Sequence, residues 1–186
     1  MKREIRILGF DDASFDKFSD RETLVIGCVF RGGLWLEGVL TDTVTVDGDD
    51  ATETLLRMVS RSRFRSQLQA IMLDGIALGG FNIVDISALA EKSGIPVIAV
   101  MRDQPDLGKM HRALRKLGKE RLIPLLAKAG TIHNDGKVLF QVASISPEEA
   151  ARMLRMTATR SDIPEPLRVA HLIGAGIGKG ESTGRA

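Results

Sequence analysis

Residues 69–100, QAIMLDGIALGGFNIVDISALAEKSGIPVIAV, constrain this chain more than any other stretch. The segment opens with a short apolar run over residues 70–73, which stops at Asp74-Gly75. A glycine-bearing loop follows over residues 76–80. A helical period then places Ile83, Ile86, Leu89 and Ala90 on one face. Gly94 ends that helix, and residues 96–100, PVIAV, form a second buried strand. Strand, helix and strand within about thirty residues specify a βαβ crossover in a parallel sheet. Open sheets of this kind bind ligands at the carboxyl ends of their strands. Asp74 sits at one such end and Arg102 lies just beyond the other, so chemistry is expected there.

The flanks extend this unit. Residues 5–10 read as a strand running into Asp11-Asp12, and residues 23–30 as a second. Arg31-Gly32-Gly33 is a turn signal before a third strand over residues 34–41. Asp47-Gly48-Asp49-Asp50 breaks the run, and residues 51–64 show helical spacing through Leu55, Met58 and Val59. Beyond the crossover come helices over residues 105–117 and 120–129, then a hairpin over 131–144 turned at Asn134-Asp135-Gly136. Ser146-Pro147 starts another helix with an N-cap and a proline at its first position. A last helix runs from Pro164-Glu165-Pro166 to residue 173, followed by a glycine-rich tail over 174–186. One domain over residues 1–186 is expected. A three-strand meander, a helix and then β-α-β resembles the ribonuclease H-like fold: an α/β architecture with a mixed five-stranded sheet flanked by helices. There the first strand lies beside the fourth, about 4.8 Å away, so Asp11 and Asp74 converge on one rim.

Composition narrows the function classes. Lys and Arg number 26 against 24 Asp and Glu, a formal charge of +2, so net charge does not announce a nucleic-acid binder. Local clusters, Arg57, Arg61, Arg63 and Arg65 and then Lys109, Arg112, Arg115, Lys116 and Lys119, suit either phosphate contact or a solvated face. Tyrosine is absent and Trp35 is the single tryptophan, a poor provision for stacking single-stranded bases. The lone Cys28, in an apolar run, excludes an internal disulfide and reads as a buried small hydrophobe. With no run of about 18 apolar residues and no signal peptide, a soluble cytoplasmic protein without membrane partners is expected.

Asp11, Asp50 and Asp74 all fall at element boundaries on the presumed rim. Clustered carboxylates repel unless protonated or neutralised by a cation. Mg²⁺, a hard ion that takes oxygen ligands and keeps several waters, is the natural partner, with Mn²⁺ able to substitute. Asp50 also suits the N-cap of the helix that follows it. Asp12 and Asp47 are alternates, Asp12 pointing to the opposite face while the strand persists. His171 shares a helix face with Arg168. The run GAGIGKG over residues 174–180 lacks the Ser or Thr a phosphate loop needs after Gly-Lys and follows a helix rather than a strand.

Several motifs carry a resemblance. GFDDASF at residues 9–15 resembles the first-strand motif of the endonuclease V superfamily, Asp74-Gly75 and the following IPVIAV are similar to its central block, and PEPLRVAH at 164–171 to its closing motif. VDGDDAT at 46–52, GFNIVD at 80–85 and GES at 180–182 resemble more closely an archaeal sister family described as endonuclease dU. The resemblance implies Mg²⁺-dependent phosphodiester hydrolysis in DNA holding a deaminated base, deoxyuridine first, in single-stranded or mismatched sites. A structure-specific or RNA-directed nuclease is one alternative, and a nucleic-acid-binding module of the same fold with little catalysis the other. Asp11 and Asp74 match the metal-binding aspartates, and Asp50 falls near a catalytic glutamate. Arg102 stands at a lysine position and His171 at a closing-motif histidine. Gly75, Gly80 and Asn82 are expected along the substrate. The superfamily's aromatic-proline wedge has no counterpart at residues 45–49, TVDGD.

Overall fold

The first strand, β1 (Arg6–Asp12), carries apolar side chains to both faces: Ile7, Leu8 and Phe10 are all fully buried. A strand of that kind needs cover above and below, which places it inside a sheet. In the computed structural model, which describes residues 5–182, β2 (Glu22–Arg31) pairs with it antiparallel and β3 (Trp35–Thr45) pairs antiparallel with β2. After α1 (Ala51–Arg61), β4 (Leu68–Asp74) returns on the other side of β1 in parallel. A separate small hairpin, β5 (Ala77–Leu78) with β6 (Asn82–Ile83), leads into α2 (Ile86–Ser93). β7 (Val97–Met101) then lies parallel to β4, completing the expected crossover.

The sheet is larger than the five strands expected. After α3 (Leu107–Lys116) and α4 (Ile123–Lys128), the hairpin of β8 (His133–Asn134) and β9 (Leu139–Ala143) joins it. β9 pairs antiparallel with β7, giving seven strands in the order β3-β2-β1-β4-β7-β9-β8. The reason is β7 itself: Val97 to Val100 are all fully buried, and a strand so enclosed cannot be left as an exposed edge. α1 to α4 cover one face around Leu55, Leu89, Leu114 and Leu126. α5 (Pro147–Thr157) and α6 (Glu165–Lys179) cover the other, through Leu154, Leu167 and Ala170. Side chains of Asp85, Asp106 and Ser146 accept hydrogen bonds from backbone N–H groups in the first turns of α2, α3 and α5, each cap stabilising its helix by about 1 kcal/mol.

The expected tail from residue 174 is largely helix. α6 continues to Lys179, and residues 183–186 lie outside the described ones. Packing overrides propensity here. A Cβ on Gly174 would meet Asp12 O at 2.8 Å and Ala13 Cα at 3.0 Å, and one on Gly9 would meet the backbone of Pro166 at 2.6 Å. Glycine at these positions lets α6 lie against the end of β1 at a distance no side chain permits. Among the described residues no helix is long and apolar enough to cross a membrane.

Candidate active site

Three elements meet where β1 and β4 end. The parallel register aligns Phe10 with Leu73, so the next residues, Asp11 and Asp74, fall side by side. α6, seated on its glycine seam, brings His171 across from the far end of the sequence. Its Nδ1 lies 2.9 Å from Asp11 Oδ2. One ligand atom from each of Asp11, Asp74 and His171 lies within 4.8 Å of the others. The three open onto a cleft of about 500 Å³ that Asp12, Phe15 and Lys179 also line.

Electrostatics here favour a cation. Asp11 is 5% exposed, and burial, with Asp74 and Asp12 beside it, pushes its carboxyl up to about 9. Burial likewise raises Asp74, against the opposing charges of Arg102 and His171, and Asp12, whose Oδ2 accepts from Gly79 N at 2.6 Å. Without a cation, then, burial and these acidic neighbours favour the protonated form of Asp11 at neutral pH.

Other expected residues go elsewhere. Asp50 does not join the cluster. It occupies the N-cap position of α1 without capping it, and its carboxylate accepts from Thr45 N and Oγ1 and from Asn82 Nδ2 instead. Asn82, expected along the substrate, is fully buried: its Oδ1 accepts from Ala51 N and its Nδ2 donates to Thr45 O, so it ties the hairpin to the start of α1. Gly80, at φ 87°, packs on the Asp47 carboxylate, which also accepts from Phe81 N. The segment where a wedge would stand is thus a polar turn tied to the β5–β6 hairpin. Arg57 of the first basic cluster is paired with Asp42 at 2.8 Å.

Arg102, by contrast, follows β7 closely enough for its charge to act on Asp74. Gly75, at φ 74°, borders a second cavity of about 350 Å³ that begins at Asp74 and is walled by Ile76, Met101, Leu107, Met110 and Leu126. Two contributors escaped the sequence reading. Lys179 was hidden in the supposed tail, although its spacing of eight residues from His171 puts both on one helical stripe. Gln141, in the second cavity, had no local signal.

Comparison with known proteins agrees with this architecture. The family model described as endonuclease dU matches residues 3–178. A UPF0215 protein of Methanothermobacter thermautotrophicus is 49% identical over 100% of this chain and 94% of its own length. The crystal structure of a protein of unknown function from Archaeoglobus fulgidus superposes with a TM-score of 0.89 at 41% identity, covering 95% of this chain and 100% of that one. Endonuclease V of Bacillus subtilis superposes with a TM-score of 0.61 at 11% identity over 91% and 78% of the two chains. Endonuclease V of Ciona intestinalis, in complex with a 24mer DNA containing an inosine followed by a ribo-adenosine, gives 0.58 at 15% over 90% and 82%. At those identities the likeness is one of fold. Matched along nearly its whole length, the chain belongs to the endonuclease dU family.

Proposed function

We propose that this protein is a divalent-metal-dependent endonuclease that hydrolyses phosphodiester bonds in DNA carrying a deaminated base, deoxyuridine first. Family membership and the endonuclease V-like fold support a nuclease. The observation that carries the metal-dependent reading is the meeting of Asp11, Asp74 and His171 on one rim.

The donor set fits a hard divalent ion. The buried Asp11 and the half-buried Asp74 are both raised by burial and by acidic neighbours, Asp74 against the partial compensation of Arg102 and His171, and a divalent cation would relieve that repulsion. Asp11 and Asp74 would hold Mg²⁺, and Mn²⁺ would take His171 more readily as a third ligand. When bound, such an ion supplies Lewis acidity toward the phosphate and its attacking water. The chain's own residues do the rest. His171 orients the Asp11 carboxyl through its 2.9 Å contact. Arg102 binds the phosphate as a cation beside Asp74, and Lys179, on the α6 side of the cleft, adds a second positive charge. The apolar cavity beginning at Asp74 receives the altered base. Taking a base out of the stack costs a few kcal/mol, least at mismatches and single strands. With no aromatic wedge between β3 and α1, the preferred sites are single-stranded DNA and U·G mismatches.

Labelled oligonucleotides test this directly. Single strands, U·G and U·A duplexes, undamaged DNA and RNA are incubated with Mg²⁺, Mn²⁺ or EDTA, using wild type and Asp74→Asn. Metal-dependent nicking in the order single-stranded or U·G above U·A is expected. Equal cutting of undamaged DNA rejects lesion specificity, and cutting that survives Asp74→Asn rejects the site.

A further inference from the structure

Gln141 is a buried amide that the hydrolytic centre leaves without a task. It sits mid-strand on β9 opposite Ala99, only 4% exposed, and lines the cavity that begins at Asp74. An aliphatic residue would fill that place without the cost of burying an amide. The side chain is also held one way round. Its Nε2 donates to Gly130 O at 2.8 Å. A carbonyl can only accept, so this bond decides which end of the amide faces Gly130. Oε1 is left as the acceptor offered to the cavity, and no described residue donates to it.

We infer that Gln141 is a specificity-determining residue: its Oε1 accepts the imide N–H of a deaminated base lodged in this cavity. The inference rests on the nuclease reading above. Uracil presents an N3–H between two carbonyls, whereas its parent cytosine presents a bare N3 lone pair beside an amine. Hypoxanthine and adenine differ in the same way at N1. Deamination therefore turns an acceptor into a donor at the atom Gln141 meets. Because Gly130 prevents the amide from turning over, cytosine brings acceptor against acceptor, and both stay unpaired in an apolar enclosure. Thymine carries the same imide edge as uracil, so Gln141 separates deaminated bases from their parents and not uracil from thymine.

The experiment measures binding by fluorescence anisotropy with Ca²⁺ in place of Mg²⁺, gels confirming that the probe stays uncut. Labelled single strands differ at one position, holding uracil, cytosine, thymine or hypoxanthine. Wild type is expected to hold the uracil strand roughly tenfold to a hundredfold more tightly than the cytosine strand, the range set by one buried unpaired acceptor. Gln141→Met, nearly isosteric, should bring that ratio within about twofold of unity by weakening uracil binding, and thymine should follow uracil. Since this variant also strands Gly130 O, its melting curve is taken alongside. Ala127→Trp obstructs the cavity from an exposed wall position with Gln141 itself unchanged and should lose the same ratio. Equal binding of uracil and cytosine by wild type, or a ratio preserved in either variant, overturns the inference. Separate cleavage assays distinguish the two claims. Lesion-specific cutting indifferent to Gln141 leaves the nuclease standing and this inference rejected. Gln141-dependent uracil binding without cutting in Mg²⁺ or Mn²⁺ does the reverse.

Discussion

Two glycines in one helix should respond oppositely to the same substitution. In Gly174→Ala the new methyl would sit 2.8 Å from Asp12 O and 3.0 Å from Ala13 Cα, both backbone atoms that cannot rotate away. Overpacking of this kind costs about 1–3 kcal/mol, against a gain of about 1 kcal/mol from replacing a mid-helix glycine. The net loss reaches about 2 kcal/mol, a fall in Tm of up to about 8 °C for a chain of this length. In Gly176→Ala the nearest atom is Ser182 Oγ at 3.4 Å, an ordinary contact, so the propensity gain stands nearly alone and Tm should rise by about 2–4 °C. Differential scanning calorimetry in EDTA reads both. The pair also has a functional readout, because His171 rides on the same helix. Gly174→Ala should weaken Mn²⁺ binding in calorimetric titration by moving the imidazole off Asp11, while Gly176→Ala should leave it unchanged. If both variants melt in the same direction, or Gly174→Ala binds Mn²⁺ like wild type, the close seating of α6 does not position the site.

Other expectations follow from the same geometry. With Asp11 raised to about 9, the folded metal-free protein holds a proton that the unfolded chain releases above about pH 4, so stability falls as pH rises between those values. One proton corresponds to at most about 1.4 kcal/mol per pH unit; urea midpoints from pH 6 to 8 should show the slope in wild type and a flatter one in Asp11→Asn, and parallel slopes would contradict it. Mg²⁺ or Mn²⁺ at a hundred times its Kd at pH 8 should raise stability there by about 2.7 kcal/mol, the same concentration should do less at pH 6 because protons must leave, and Asp74→Asn should abolish the effect. Asn82→Ala removes the bonds to Ala51, Thr45 and Asp50 and should cost about 2–4 kcal/mol in denaturant melts, whereas a near-neutral result would return Asn82 to a surface role. Arg102→Ala should reduce kcat/KM on a deoxyuridine strand by about tenfold with Tm unchanged, and Arg102→Lys should recover part of it.

What the sequence disclosed was local or periodic. The crossover from β4 to β7 was legible because an apolar run, a helical stripe and Gly94 fall within one continuous stretch. Asp11 and Asp74 followed from the rule that strand ends in a parallel pair share a rim. Long-range choices were hidden. Nothing in the two residues of β8 shows that its hairpin would extend the sheet, since that depends on β7 needing a neighbour. The glycines of α6 argue against helix by propensity, and contact with Asp12 and Ser14 explains Gly174 and Gly178. Asp50 was assigned by position, but its fate was decided by Asn82, 32 residues away. Gln141 reads as an ordinary strand residue until the register of β9 turns it into the cavity.

The bond between Asp11 and His171 joins residues 160 apart. Its consequence is temporal. A ribosome completes the sheet's first strands and both aspartates long before it releases the helix that carries the imidazole, and contacts of such separation close late. A nascent or truncated chain therefore carries the two acidic groups without their third partner. The complete cluster of Asp11, Asp74 and His171 exists only in molecules in which α6 has been made and has folded onto the sheet.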